Sequence, residues 1–514
     1  MADRPPSDPG YQPAAAAPLS RREFIKLSVL AFVGAVLAAC GIGKLPAGSS
    51  AAGAPAAPTP VPTPVPTTTP LPIAPAGSAG PASTLAGSIL GRPTNSSITL
   101  NTIPTSAGEL FVEYGKTAGQ YTGRTAAQRA VSGVPIETLI EGLEPNTRYY
   151  CRLHAGGDRA GQGSFMTQRA PGSSFVFTID ADPHYGDPNF NAQLYDITLA
   201  NALADGPDFH VNLGDTFMTE KLKAPTPAQV VGTYADMRAH LGLMGAGAPL
   251  FLVNGNHEGE LGWLLDGGDQ NLAVRCTQTR HTYYPNPTPN AFYSGSATQA
   301  PLIGLRDGYY AWTWGDAFFV ALDPFWYTRP KPAPQTNANW GWTLGREQFL
   351  WLKETLESSA ARHKFVFTHQ LVGGRDKDGR GGIETAGYYE WGGLNQDGSP
   401  GFDTHRPGWG KPIHQLLVEN HVSAVFHGHD HVFVKQDLDG VVYQECAQPS
   451  ITRYDSTQLA ADYGYTHGDV RSSSGHLRVT VAPGGVRVEY VRAYRPADET
   501  SARRNGQVDY AYTI

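Results

Sequence analysis

Cysteine is scarce in this chain: four residues in 514, with no Cys-x-x-Cys spacing. That excludes a disulfide scaffold and a zinc ribbon. Charge is thin as well. Charged residues make up 17% and the formal net charge is −7, against a usual ~25% charged. A chain of that sign has no field to draw a polyanion, so nucleic acid is not an expected partner. The apolar run at 27–39 has 13 residues, short of the ~20 that a permanent transmembrane helix needs. No Gly-x-Ser-x-Gly is found, which argues against a serine hydrolase. What is present is enough apolar mass, 40%, for a sizeable core, and a length that suggests two or three domains. Glycine (59) and proline (41) are over-represented, so some stretch must be biased in composition.

That bias sits near the start. Ser20-Arg21-Arg22-Glu23-Phe24-Ile25-Lys26 resembles the bacterial twin-arginine export motif, and Leu37-Ala38-Ala39-Cys40-Gly41, after the apolar run, resembles a lipobox. The resemblance implies a signal peptide over 1–40, cleavage before Cys40, lipidation of its sulfur, and a body anchored to the membrane outside the cytoplasm. Residues 41–87 follow as an Ala, Pro, Thr and Ser tether, with nine prolines among the 21 residues of 55–75. Such a segment cannot bury a core and is expected to form an extended spacer of roughly 65 Å over those 21 residues.

Residues 88–170 alternate with period two, as in Ser97-Ile98-Thr99-Leu100 and Glu109-Leu110-Phe111-Val112-Glu113-Tyr114. Turn residues separate the runs at the spacing of a small all-β sandwich. Leu143-Glu144-Pro145-Asn146-Thr147-Arg148-Tyr149 resembles the L-x-P-x-T-x-Y corner of fibronectin type III modules. No cluster of histidines and carboxylates falls here, so the segment reads as a spacer or orienting module.

From Ser173 the pattern changes to short apolar strands with helical stretches between them, an α/β layout. Examples are Phe175-Val176-Phe177-Thr178-Ile179, Phe209-His210-Val211-Asn212-Leu213, Leu250-Phe251-Leu252-Val253, Phe365-Val366-Phe367 and Ala424-Val425-Phe426. Sites in such folds sit at the carboxyl ends of strands, and these strands end in Asp182-Pro183-His184, Gly214-Asp215, Gly255-Asn256-His257-Glu258, Thr368-His369 and Gly428-His429-Asp430-His431. Only Asp182, not Asp180, has the D-x-H spacing. Carboxylates, an amide and imidazoles without thiolate suit manganese, iron, zinc, cobalt or nickel. Two metals ~3.5–4 Å apart need a bridging carboxylate, and the glycine beside Asp215 lets backbone approach it. His429 and His431, two apart on an extended chain, would face one side with Asp430 opposite.

Taken in order, D-x-H, G-D, G-N-H-E, H and G-H-x-H resemble the calcineurin-like metallophosphoesterase superfamily over about 173–495, with 496–514 left as a tail. The resemblance implies a two-sheet α/β/β/α sandwich and two metal ions, with manganese, iron or zinc foremost. By the same resemblance Asp182, His184 and His431 hold one ion, Asn256, His369 and His429 hold the other, and Asp215 bridges. Hydrolysis of a small phosphorylated substrate, a phosphomonoester, by attack of a metal-held hydroxide would follow. His257 is the non-ligand of the set and would stabilise the transferring phosphoryl or protonate the leaving oxygen, with Glu258 orienting it. A β domain ahead of the catalytic one is also the layout of purple acid phosphatases. Those enzymes place a tyrosine three residues after the bridging Asp, where this chain has Met218, so a tyrosinate-bound ferric site is not expected. A phosphodiesterase or nucleotide pyrophosphatase on the same scaffold is the alternative, with a non-catalytic surface binding protein further off.

Two long connections are expected to shape the substrate pocket. One is 259–310, with Trp263, Tyr283, Tyr284, Phe292 and Tyr293. The other is 373–410, with Arg375, Lys377, Arg380, Tyr388, Tyr389 and Trp391. Arg375 or Arg380 could grip phosphate oxygens. Cys276 and Cys446 could pair, although folding before export argues against it. His476 to Tyr490, turning at Ala482-Pro483-Gly484, reads as a hairpin of the second sheet.

Overall fold

A computed structural model describes residues 87–514 except 267, 269, 270, 330, 333–337, 375 and 377. The export motif, Cys40 and the proline-rich tether lie outside the described residues. Among the described residues no helix is long and apolar enough to cross a membrane.

Eight strands form the first unit: β1 (Ile89–Gly91), β2 (Ser97–Thr102), β3 (Gly108–Gly115), β4 (Gly123–Arg124), β5 (Gln128–Ala130), β6 (Ile136–Glu141), β7 (Arg148–Ala155) and β8 (Asp158–Met166). They make a three-stranded sheet, β1-β2-β6, and a second sheet ordered β4-β3-β7-β8 with β5 on β3. The period-two pattern works as expected. Tyr149, Cys151 and Leu153 on β7 point into a core shared with Ile98, Leu100 and Ile140 of the facing sheet. The corner at Tyr149 forms too, because its hydroxyl accepts the Glu144 N–H at 3.0 Å.

The second unit carries β9 (Phe175–Asp180), β10 (Phe209–Asn212), β11 (Leu250–Leu252), β12 (Ser294–Gly295), β13 (Gln299–Ala300), β14 (Gly304–Leu305), β15 (Tyr310–Trp314) and β16 (Ala317–Ala321). It continues with β17 (His363–Phe367), β18 (Ala424–His427), β19 (Phe433–Leu438), β20 (Val441–Glu445), β21 (Asp469–Arg471), β22 (Gly475–Ala482), β23 (Gly485–Arg492) and β24 (Val508–Thr513). One sheet is ordered β11-β10-β9-β22-β23-β24 and the other β12-β15-β16-β17-β18-β20-β19-β21. Helices α1 (Ala192–Ala204), α2 (Pro227–Leu241) and α3 (Leu272–Tyr283) cover the first sheet, and α4 (Gly345–Ser358) and α5 (Ile413–Glu419) cover the second.

Alternation along the strands explains the four layers. Phe177 and Ile179 on β9, Phe209 and Val211 on β10, Phe319 on β16 and Phe365 and Phe367 on β17 all enter one core between the sheets. Their neighbours Leu250 and Leu252 face α1 and α2, while Val320 and Val366 face α4. Both faces of β11, β16, β17 and β18 are therefore apolar over most of their length, whereas β9 and β10 carry the buried polar set Thr178, Asp180, His210 and Asn212 on their second face. The ring of Phe177 lies 5.2 Å from Phe319, 5.4 Å from Phe209 and 5.6 Å from Phe365, centroid to centroid. Aromatic packing of this kind leaves the two sheets little freedom to slide.

Two expectations need correction. The 475–492 hairpin belongs to the first sheet, because β22 pairs antiparallel with β9 from Leu477–Ile179 to Val481–Phe175. Residues 496–514 are more than a tail: β24 pairs with β23, and Tyr510, Tyr512 and Ile514 pack against the inter-sheet core. Their spacing of two puts all three on one face.

Buried Arg238 of α2 joins the two units. Its guanidinium donates to Gly87 O at 2.9 Å, to Asn101 Oδ1 at 2.9 Å, to Asn101 O at 2.8 Å and to the Tyr283 carbonyl. Replacing Arg238 with methionine would strand several buried carbonyls at once. We expect a loss of about 3 kcal/mol, read as a lower urea midpoint. A midpoint equal to wild type would deny that this side chain locks the units together.

Candidate metal centre

All five motif segments meet at the carboxyl ends of the parallel strands, and backbone contacts draw them together. The loop after β9 pairs with the loop after β10: Asp182 N–H donates to Gly214 O and His184 N–H to Asp215 O, each at 2.9 Å. Asp182 Oδ2 accepts the His429 N–H at 2.8 Å, which ties the first loop to the fifth. Two glycines make the approach possible. Gly214 has φ +98°, and a Cβ there would lie 2.4 Å from the Gly255 nitrogen; one on Gly428 would lie 2.5 Å from Asp182 Oδ2.

Two groups of ligand atoms result, Asp182 with His184 and His431, and Asp215 with His369 and His429, each within 4.8 Å. Asp215 Oδ2 stands between them, 3.4 Å from His184 Nε2 and 3.3 Å from His369 Nε2. Asn256 Oδ1 is 3.1 Å from His369 Nε2, which places it with the second group. All seven residues thus converge in the two sets drawn from sequence. Asp215 divides its oxygens, because Oδ1 accepts the His257 N–H at 2.8 Å. Oδ2 alone faces both groups.

The residues fit metal ions. Asp182 Oδ1 and His184 Nε2 are buried without a hydrogen-bond partner, although buried polar atoms nearly always have one. His369 gives its Nδ1–H to Leu213 O at 2.9 Å, and His429 gives its Nε2–H to Asp378 O at 2.9 Å. Each bond points the ring's other nitrogen into the site, the usual outer support of a metal-ligating histidine. Burial works against a charge on Asp182, but His369, His184 and His431 outweigh it and hold its carboxyl well below the usual range. Burial likewise opposes protonation of His369, yet Asp215 and Asp182 push that imidazole up to about 9. A field that draws protons so strongly also draws cations, which displace them.

The backbone is unusual here. Asp182, His184, Asp215, His429 and His431 all have positive φ, from 54° to 84°, a region that non-glycine residues seldom occupy. The extended conformation expected between His429 and His431 is therefore wrong. Left-handed turns at both residues send one imidazole to each group, and Asp430 points inward beneath them. It accepts from Gly381 N–H at 2.9 Å and Tyr465 O–H at 2.8 Å.

Glu258 also has a different task. Its carboxylate accepts N–H bonds from Gly255 at 2.6 Å, Thr216 at 2.5 Å and Asp215 at 3.1 Å, so it clamps the loops around Asp215 and does not orient His257. Burial first, then the Asp215 charge, pushes Glu258 up to about 7. The partner of His257 is Glu220, whose Oε2 is 3.1 Å from His257 Nδ1, while His257 Nε2 stands 3.8 Å from Asp215 Oδ2. The His257 hydrogen bond holds Glu220 below the usual carboxylate range. Sequence reasoning passed over Glu220; its one signal was a carboxylate five residues beyond Asp215 in the same loop.

The ligands open into a cleft of about 260 Å³ that Glu220, Lys221, Trp263, Lys331, Trp342, Asp378 and Arg380 complete. Arg380 reaches it, whereas Arg375 and Lys377 lie outside the described residues. Most of the other aromatics expected at the pocket serve the core. Tyr283 and Tyr284 pack under α2, Tyr293 lies between the sheets, and Tyr389 and Trp391 lie under α5. Cys151, Cys276 and Cys446 are buried free thiols, so no disulfide joins Cys276 and Cys446.

The calcineurin-like phosphoesterase family model matches residues 175–433, half of the chain. This chain belongs to that family. Calcineurin-like phosphoesterases are metal-dependent phosphoester hydrolases with a dinuclear centre, and this protein is such a hydrolase. Among solved structures the fold is similar to that of PhoD, with 17% identity, TM-score 0.58, and coverage of 80% of this chain and 87% of that one. It is also similar to the purple acid phosphatase PPD1 from yellow lupin (Lupinus luteus) seeds, with 15% identity, TM-score 0.54, and coverage of 83% and 74%. No curated protein matches the chain.

Asp215→Asn removes the charge that both groups share. The purified variant should lose bound metal by elemental analysis together with its phosphoesterase activity. Full metal content with full turnover would refute the central place given to Oδ2.

Proposed function

We propose that this chain hydrolyses phosphomonoesters outside the cytoplasm, held to the membrane by a lipid on Cys40. The observation that carries the reaction is the convergence of Asp182, His184, Asp215, Asn256, His369, His429 and His431, with buried acceptor atoms left unpaired among them. Two cations bound there would supply Lewis-acid charge neutralisation and an activated water. Manganese, iron and zinc suit the donor set.

This chain's own residues supply the rest. His257 lies outside both ligand groups and turns Nε2 toward the site while Glu220 takes Nδ1. Glu220 fixes the ring through Nδ1, so Nε2 is the nitrogen placed to hand a proton to the leaving oxygen. Arg380 brings positive charge to the cleft on the side of His429. That charge favours a monoester, whose phosphoryl carries about −1.5 to −2, over a diester with a single negative charge. Trp263 and Trp342 wall the cleft and limit its access to water.

The location rests on the twin-arginine-like and lipobox-like motifs. Export in folded form would let the enzyme acquire its metals in the cytoplasm before leaving it.

His257→Ala should keep both metals and lower kcat by about 10²-fold, with Glu220→Gln falling between it and wild type. Unchanged turnover of p-nitrophenyl phosphate in His257→Ala would remove the proton-donor role, and a preference for bis-p-nitrophenyl phosphate would favour a diesterase. Cys40→Ala should move the protein from the membrane fraction to the soluble one, and continued membrane association would end the lipoprotein reading.

A further inference from the structure

Among the described residues, three cationic side chains beyond the metal ligands line the cleft, and they are not equivalent. Arg380 is committed to its surroundings. It pairs with Asp378 Oδ2 at 2.8 Å, lies 3.6 Å from Asp430 Oδ1 and stacks over Tyr463 at 4.6 Å. Through Asp378, whose carbonyl takes His429 Nε2, it belongs to the His429 side of the cleft.

Lys221 and Lys331 belong to the His257 side. Lys221 Nζ is 3.6 Å from Glu220 Oε2 with 58% of its side chain exposed, and that same oxygen is already engaged by His257 Nδ1. Lys331 Nζ stands 5.6 Å from the ring centre of Trp263. Both ammoniums line the cleft together with His257, Glu220 and Trp263. Among the described residues, Lys221 has only the longer contact to Glu220, and no carboxylate lies within ion-pair distance of Lys331.

We propose that the substrate is a phosphomonoester whose leaving portion carries a second anionic group, bound by Lys221 and Lys331 with its organic body against Trp263. The proposal rests on the phosphoesterase reading and on His257 as donor to the leaving oxygen, since the side that delivers that proton is the side on which the leaving group sits. Two lysines on long flexible stems suit a carboxylate or phosphate of variable position better than a rigid fork would. The Trp263 face, which already attracts the Lys331 ammonium, offers a flat apolar wall for the carbon skeleton. A neutral alcohol would make no charge contact with either lysine.

The test compares 4-carboxyphenyl phosphate with 4-methylphenyl phosphate at low ionic strength, using the metal-loaded full protein. In Lys221→Ala/Lys331→Ala the ratio of kcat/KM values, carboxy over methyl, should fall about fivefold relative to wild type, the size expected of two exposed charge contacts. The loss should appear in KM for the carboxylated substrate, and Lys221→Arg/Lys331→Arg should restore most of it. A ratio equal to wild type in the alanine variant, or an equal loss for both substrates, would overturn the proposal while leaving the phosphoesterase reading intact. If wild type turned over neither substrate with manganese, iron or zinc, the phosphoesterase reading itself would fall, and this proposal with it.

Discussion

Buried carboxylates that accept backbone N–H bonds hold this site together. Asp182 takes the N–H of His429, Asp215 that of His257, Glu258 those of Asp215, Thr216 and Gly255, and Glu445 that of Asp430. All but the Gly255 bond, which closes the Glu258 loop on itself, join segments from different strands. Each also uses up part of the negative charge, and the remaining oxygens, Asp182 Oδ1 and Asp215 Oδ2, turn toward the imidazoles. So much acid in so little space is stable only beside cations, and the metal preference follows from how the loops are tied.

The sheets make that arrangement possible. The phenylalanine cluster around Phe177 keeps the two sheets at one spacing, so the ends of β9, β10, β17 and β18 cannot drift apart. Positive φ at five ligand residues is a local cost of order 1–3 kcal/mol each, and a close-packed scaffold can bear it. The all-β unit joins this rigid body through Arg238 and through Asp208, which takes the Arg169 guanidinium at 2.7 and 2.9 Å.

His257 and Glu220 illustrate how a family scaffold is completed by residues outside its motifs. The histidine comes from the loop after β11 and the carboxylate from the turn after Asp215, 37 positions earlier. Lys221, next to Glu220, and Lys331, from the segment after β16, reach the same side of the cleft. The motif residues supply the metal ligands, and in our proposal these neighbours select the phosphoester.

Much was legible in the chain itself. Strands such as Phe365-Val366-Phe367 announce a doubly covered sheet because both faces are apolar. The ligands could be read from D-x-H, G-D, G-N-H-E, H and G-H-x-H because strand ends place short polar runs at one edge of such a sheet. Other features were decided only by the fold. The assignment of the 475–492 hairpin to the first sheet, the strand made from 508–513, the backbone clamp of Glu258 and the pairing of His257 with Glu220 all depend on contacts across tens to hundreds of residues. Periodicity and motif spacing report what lies on one face or in one turn. Which oxygen of Asp215 stays free, and which carboxylate stands behind His257, is set by packing between loops that adjacent letters do not record.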